Sequence, residues 1–362
     1  MHRLARATVD LAALRANGAR LRAAAGARAV WPVIKGDGYG HGMLAVARAL
    51  PDAAGFCVAD LEEGLALREA GVDRPVLVLQ GAHDGPGLVA AARERLTLGV
   101  HAPEQVERIV RDGERLPARS LALWLKVDTG MHRLGLDPEA VADARARLSA
   151  VPAVRELGAM THFACADEPD HALNARQRSG FAQLSAGLSP RSACNSAALL
   201  AGAPVADSVV RPGIALYGAS PLLEQEAAAL DLVPVMTLRS RFIAERTIET
   251  GESVGYGAAW VARRRTRVGY VAVGYGDGYP RHAPPGTPVR TLAGEVPLIG
   301  RVSMDSIAVD LTEAPTVRVG DPATLWGEGL PVDRVARAAG TIAYELLTQL
   351  TPRVPRVYRE GT

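Results

Sequence analysis

The run Ala29-Val30-Trp31-Pro32-Val33-Ile34, followed by Lys35-Gly36-Asp37-Gly38-Tyr39-Gly40-His41-Gly42, decides the reading of the fold. A short apolar stretch stops at a glycine-rich polar loop, and Met43–Leu50 beyond it has helical spacing, which gives strand, loop and helix. The unit recurs. The apolar runs Gly55–Ala59, Pro75–Leu79, Leu96–Val100, Leu121–Val127, Glu156–His162, Arg191–Cys194 and Asp207–Val210 alternate with helical segments that include Leu61–Ala70, Pro103–Arg111, Pro138–Ala150 and Ala175–Ala186. The runs are continuous rather than alternating, as in a parallel sheet buried on both faces. They amount to about eight βα units, the number that closes an N-terminal (β/α)8 TIM barrel in an α/β protein; a doubly wound open sheet is the alternative. Upstream, Asp10 reads as the N-cap of a helix that puts Leu11, Leu14, Gly18 and Leu21 on one face.

Near residue 230 the texture changes. Val235–Ile248, Val268–Val273, Val289–Leu292, Pro297–Leu311 and Val317–Leu325 read as strands separated by Gly and Pro, and Pro331–Leu350 is the one sizeable helical stretch. The chain of 362 residues is therefore expected to divide into a barrel domain, 1–230, and a C-terminal mostly β-strand domain, 231–362. Hydrophobic residues make up 48% of it, enough for a sizeable core. With 41 basic and 39 acidic residues the net charge is +2, which gives no reason to expect nucleic acid or an anionic membrane as partner. No apolar run reaches the roughly 18 residues of a membrane helix. The N-terminal arginines are not followed by the apolar stretch of a secretory signal. Three cysteines, Cys57, Cys165 and Cys194, are odd in number and lack metal spacing, so a reducing, cytoplasmic setting without disulfides or a metal site is expected.

Only two of the basic residues are lysines, Lys35 and Lys126. Lysine can release its proton and form an imine, whereas arginine does neither, so each lysine is a candidate for amine chemistry. Barrel enzymes build their sites at the C-terminal ends of the strands. The sequence puts Lys35 there after strand 1, Lys126 and Arg133 at and after strand 5, and His162 at the end of strand 6. Asn195 and Ser196 follow strand 7, and Arg211, Gly213 and Ile214 follow strand 8. Glycines in turns, a salt-bridged arginine and a core histidine would explain each residue alone, but not their gathering at one end. Six of the eight tyrosines adjoin a glycine, which favours hydroxyls presented from loops. Loops after strands 7 and 8 can aim N–H groups at a phosphate. A phosphate site there, with a lysine on strand 1 and an arginine opposite, suggests pyridoxal 5′-phosphate held as a Schiff base. The loop after Lys35 lacks the G-K-[ST] ending of a nucleotide-binding P-loop.

Val33–Gly42, Lys126–Gly135 and Arg211–Gly218 resemble the signatures of the alanine racemase family. So do Val254-Gly255-Tyr256-Gly257, Gly274-Tyr275-Gly276-Asp277-Gly278-Tyr279, Ser303-Met304-Asp305 and Tyr344-Glu345 in the second domain. The resemblance runs in order over nearly the whole chain and implies a TIM barrel followed by a β domain. It implies a homodimer with shared sites that interconverts L- and D-alanine on pyridoxal phosphate, for peptidoglycan or for alanine catabolism. Lys35 would hold the cofactor and act as base on one face of the substrate. Tyr256, from the other subunit of the dimer, would be the base on the opposite face. Arg211 would face the pyridine nitrogen, and Tyr39, Ser196, Gly213, Ile214 and Tyr344 would hold the phosphate, with Asn195 beside them. Arg133 would grip the substrate carboxylate together with the Met304 backbone of the other subunit. His162 would hydrogen-bond towards Arg211 and Tyr256, and Lys126 occupies a position that is carbamylated in many members.

The chemistry supports these roles. Racemisation removes one proton from Cα and returns another on the opposite face, which calls for two bases. An arginine at the pyridine nitrogen cannot readily donate its proton, which weakens the electron sink and limits side reactions. A phenol is a poor base unless positive charge lies nearby, which Arg211 acting through His162 would supply. Gly36 and Gly38 stand where many members have alanine, and are expected to loosen the loop. A large ring at residue 344 favours a methyl side chain, yet a few atoms discriminate by only about 1–3 kcal/mol, so slow serine turnover is expected. A serine or broad-specificity racemase, an amino-acid decarboxylase, a pyridoxal-phosphate carrier without turnover and a phosphosugar-binding barrel enzyme are the competing readings. The β domain bearing Tyr256 separates the racemase from the carrier, which usually consists of the barrel alone.

Overall fold

The computed structural model describes residues 3–360. Eight short parallel strands form the barrel: β2 (Ala29–Val30), β3 (Phe56–Val58), β4 (Val76–Val78), β5 (Thr97–Val100), β6 (Leu121–Lys126), β7 (Val154–Met160), β8 (Arg191–Ser192) and β9 (Val209–Val210). β3 to β8 pair in sequence, and β2 pairs with β9. Backbone bonds close the ring at both seams. Cys57 N–H donates to Pro32 O and Ile34 N–H to Cys57 O at 2.9 Å each, and Arg211 N–H donates to Cys194 O, also at 2.9 Å. The ring is therefore a closed barrel, not the open sheet held as the alternative. β3 to β6 are buried at every position, which is why their sequences read as continuous apolar runs.

Several helix starts are fixed by an aspartate cap. Asp10 caps Leu11–Ala25 by accepting from Ala13 N–H at 2.9 Å, and Asp60 caps Leu61–Glu69 through Glu63 N–H at 3.0 Å. Gly85–Arg93, capped by Asp84, is a helix the apolar spacing did not signal.

The C-terminal domain is mostly strand, as expected. β10 (Met236–Ile248) is its long spine. The ribbon β11 (Ser253–Val254) and β12 (Trp260–Val261) leaves it, and β13 (Thr266–Val271), β14 (Pro288–Thr291), β15 (Gly294–Ile299), β16 (Ile307–Asp310), β17 (Pro322–Trp326) and β18 (Arg356–Arg359) follow. With β1 (Arg6–Asp10) included, the order is β13-β16-β15-β14-β17-β10-β1-β18, and β10 also pairs with β13, so six strands close on themselves. Here β1 runs antiparallel to β10 and parallel to β18. The first strand of the chain therefore belongs to the second sheet, a pairing the cut at 230/231 does not accommodate. Asn17 fastens the junction: its side-chain amide donates to Leu216 O and Val233 O, and its oxygen accepts from Val233 N–H. The stretch 297–311, read as one strand, is interrupted by a loop between β15 and β16. The helical stretch 331–350 is two short helices, Val332–Ala338 and Ala343–Thr348. Among the described residues no helix is long and apolar enough to cross a membrane, and Cys57, Cys165 and Cys194 are all free.

Candidate active site

At the C-terminal end of the barrel strands lies a cavity of about 740 Å³, within the range of small-molecule sites. Lys35, Lys126, Arg133, Arg211, His162 and Tyr39 all line it, as do Asn195, Ser196, Gly213, Ile214 and Tyr344. The strand ends that sequence reading ranked together thus converge on one space.

Lys35 leads a turn of unusual hand. Gly36 (φ 62, ψ 46), Asp37 (φ 53, ψ 47) and Gly38 (φ 63, ψ 43) are left-handed, and Tyr39 (φ 52) and Gly40 (φ 77) continue the run. Gly38 N–H donates to Ile34 O at 2.8 Å and Gly40 N–H to Gly36 O at 2.9 Å, so this is a left-handed helical turn. L-residues disfavour that conformation and glycine does not. Gly36 and Gly38 therefore suit the turn, and its hydrogen bonds are made. Outside groups complete it. Asp37 accepts from Met43 N–H at 2.8 Å, His41 Nδ1 lies 2.8 Å from Tyr39 O, and Arg356 Nε donates to Gly40 O at 3.0 Å.

The turn delivers Tyr39 inward, stacked on Tyr217 with ring centroids 4.7 Å apart. Tyr217 in turn donates to Val33 O at 3.1 Å. Gly213 faces this pair, and a Cβ there would lie 2.5 Å from the Tyr39 hydroxyl oxygen. Ser196 Oγ accepts from Gly213 N–H at 2.8 Å and Ala215 N–H at 3.3 Å, so its own proton is left to donate. The Asn195 side chain caps the following helix through Ala198 N–H at 2.9 Å, which commits its oxygen to the fold. Tyr344, on the helix Ala343–Thr348, is tilted against Tyr39 at 6.0 Å.

Arg211 is buried and braced against two strand ends. Its Nη1 donates to Ser192 O at 2.8 Å and to Ser192 Oγ, and its Nη2 to Thr161 O at 2.6 Å. Three Arg211 donor contacts go to β8 and to the residue after β7, and none goes to His162. Burial, then repulsion from Arg211 and Arg133, pushes the His162 ring down to about 3, so it is neutral at physiological pH. Lys126 ends β6 and is 9% exposed. Burial, then Arg133, Arg211 and Lys35, brings its amine down to about 8. Burial and Arg133 lower the Lys35 amine in the same way. Four cationic side chains face the cavity against the carboxylates of Asp60 and Glu63, a surplus that suits an anionic ligand.

Two candidates lie elsewhere. Tyr256, between β11 and β12, is 68% exposed, and Met304, between β15 and β16, is 51% exposed; neither lines this cavity. Glu63 is a cavity residue that sequence reading missed. Its spacing from Asp60 reads as a helix-start signal, and nothing in the sequence announces that it reaches Gly36.

Comparison with known proteins agrees with this geometry. Residues 9–221 match the family model for the alanine racemase N-terminal domain and residues 235–358 that for the C-terminal domain. The chain is 48% identical to the biosynthetic alanine racemase of Pseudomonas aeruginosa, over 97% of this chain and 98% of the other. Alanine racemase from Nitrosococcus oceani is 48% identical, with the same coverage of each chain. The Pseudomonas aeruginosa crystal structure superposes with a TM-score of 0.95, covering 99% of both chains. An alanine racemase from Bartonella henselae with covalently bound pyridoxal phosphate superposes with a TM-score of 0.88 at 28% identity, covering 98% of this chain and 99% of that one. With both family domains matched in order and near-half identity over the full length, the chain belongs to the alanine racemase family.

Proposed function

We propose that this chain interconverts L- and D-alanine by a two-base mechanism, with pyridoxal 5′-phosphate bound at Lys35 and the second base supplied by Tyr256 of the partner subunit in a homodimer. The observation that carries this reading is that the only two lysines of the chain line the one cavity that also gathers Arg133, Arg211 and Tyr39. The residues present suit the cofactor. The Gly213–Tyr39 cradle, which a Cβ would fill, and the free proton of Ser196 suit a phosphate, with Ile214 and Tyr344 beside them. When bound, the cofactor withdraws electrons from the substrate Cα and makes its proton removable.

The protein's part is to position groups and move protons. Burial and Arg133 lower the Lys35 amine, which favours the neutral form that accepts a proton at Nζ. Arg211, held at three acceptors, presents a fixed positive charge that does not give up its proton. Arg133, at the exposed rim, receives the substrate carboxylate, with Met304 of the partner subunit completing the grip. The neutral His162 ring lines the same cavity as these cations. Lys126 at about 8 is roughly one-tenth uncharged at neutral pH, the form that adds carbon dioxide, and a carbamate there would neutralise part of the cationic surplus. The 68% exposure of Tyr256 and the 51% exposure of Met304 support a shared site, since both side chains lie open on the single chain. In this reading residues 1–230 carry the cofactor and residues 231–362 the second base. Three free cysteines fit a cytoplasmic enzyme, whose reaction would supply D-alanine for the cell wall or serve alanine catabolism.

The test is to incubate purified protein and pyridoxal phosphate with L-alanine and, separately, L-serine, and to quantify D isomers by chiral chromatography. Fast D-alanine formation with little D-serine is expected; no D isomer from either would retire the proposal. Lys35→Ala should lack the visible band of the lysine-bound cofactor, and a retained band would move the attachment to another residue.

A further inference from the structure

We propose that Glu63 is the positioning residue of the cofactor lysine: its carboxylate fixes the peptide that follows Lys35 and sets a negative charge facing the amine. The inference rests on the reading that Lys35 carries the cofactor. Glu63 is the third residue of the helix Leu61–Glu69, where a carboxylate ordinarily turns back to the backbone N–H of the capping residue, here Asp60. Instead Oε2 accepts from Ala59 N–H at 2.7 Å and Oε1 reaches across to accept from Gly36 N–H at 2.6 Å. One side chain thus ties the end of β3 to the residue after Lys35.

The tether answers a local need. As a first-turn N–H, that of Gly36 has no carbonyl within the turn to bond. With glycines at 36 and 38, the turn has few side chains of its own to restrain it. Asp37, His41 and Arg356 hold its far end, whereas Glu63 holds the peptide plane that sets the direction of the Lys35 side chain. Its charge also acts on the lysine. Around Lys35 stand Arg133 from the loop after β6, Cys57 on β3 and Glu63 from the helix after it. Asp60, Lys126, Arg211, His162, Tyr39 and Tyr344 are the other titratable or charged groups lining the cavity. Burial and Arg133 lower the amine, and Glu63 opposes them.

The experiment compares the parent with Glu63→Gln and Glu63→Asp as apoproteins. One readout is the affinity for pyridoxal phosphate by visible absorbance; the other is the pH dependence of the rate at which the lysine amine adds to the aldehyde and water is expelled. Gln has one acceptor where Glu has two, so one N–H loses its partner, and affinity should fall on the order of tenfold. Loss of the negative charge should also move the acidic limb of the rate profile to lower pH, because the neutral amine is then favoured. Asp keeps the charge but is one methylene shorter, so the limb should return towards the parent while affinity stays reduced. Circular-dichroism melts within a few degrees of the parent show that the variants fold. A Gln variant with parent affinity would overturn the proposal, and so would one whose affinity falls while its acidic limb coincides with the parent's, which would make Glu63 a structural brace only. If borohydride reduction of the parent fails to mark Lys35, the reading of that lysine has failed instead.

Discussion

The left-handed turn after Lys35 makes Gly36→Ala a test of sign. In a right-handed helix, replacing glycine by alanine stabilises by about 1 kcal/mol. Here Gly36 lies at φ 62, ψ 46, a conformation that costs an L-residue about 1–2 kcal/mol. The stiffer unfolded chain offsets about 0.4–1 kcal/mol of that. The added methyl meets nothing closer than Thr348 Cγ2 at 3.8 Å, so packing neither helps nor hinders. The net expectation is a loss of about 1 kcal/mol, a fall in melting temperature of roughly 1–2 °C for a chain of 362 residues. Gly38→Ala should lose more, because its Cβ would press on Val46 Cγ2 at 3.1 Å and Met43 N at 3.2 Å as well. Gly40→Ala places its methyl on the Leu347 carbonyl oxygen and should cost more than about 3 kcal/mol. Differential scanning calorimetry of the three variants reads the series. A Gly36→Ala protein that melts above the parent would refute the left-handed assignment.

Other consequences are open to measurement. Lys126 is held at about 8 against an ordinary 10.5, so between those values the unfolded chain holds more protons and stability rises with pH, by up to about 3 kcal/mol. Urea denaturation in carbon-dioxide-free buffer from pH 7.5 to 10.5 should show that rise, and Lys126→Met should reduce it, leaving the part that the lowered Lys35 amine supplies. With its ring at about 3, His162 does not titrate above pH 5, so His162→Gln should keep the shape of the pH–rate profile between 5 and 9; loss of a limb would contradict its neutrality. Arg211→Lys cannot reach all three acceptors at Ser192 and Thr161 and should lose about 1–3 kcal/mol by urea titration. An unchanged midpoint would show that this brace is dispensable.

The barrel was legible because its strands are buried on both faces, and continuous apolar runs survive in the sequence wherever that is so. It was least legible at its shortest strands. β2 is two residues long, interrupted by Pro32, which has no N–H to give to the ladder, yet Val33 resumes the pairing with Cys57. In the second domain, Pro297–Leu311 is apolar enough to read as one strand. Gly300, at φ 65, turns the chain out into the loop that carries Met304. The place of β1 beside β10 and β18 rests on partners more than 200 residues away, and no local pattern encodes it. The barrel residues that line the cavity were legible as a set because Lys35, Lys126, Arg133, His162, Asn195, Ser196, Arg211, Gly213 and Ile214 end or follow strands at the same end of the barrel. Glu63 was not, since its reach to Gly36 depends on the hand of a turn that spacing does not reveal.

The central claim, that a site is shared between two subunits, is tested most directly by mixing two inactive proteins, Lys35→Ala and Tyr256→Phe, under conditions that exchange subunits. If Tyr256 acts in the partner's site, each mixed dimer regains one site with both bases intact. Activity should then rise to roughly one-quarter of the parent's, since half of the dimers are mixed and each has one repaired site. Subunit exchange verified by mass, with activity no higher than that of the separate variants, would contradict the shared two-base site.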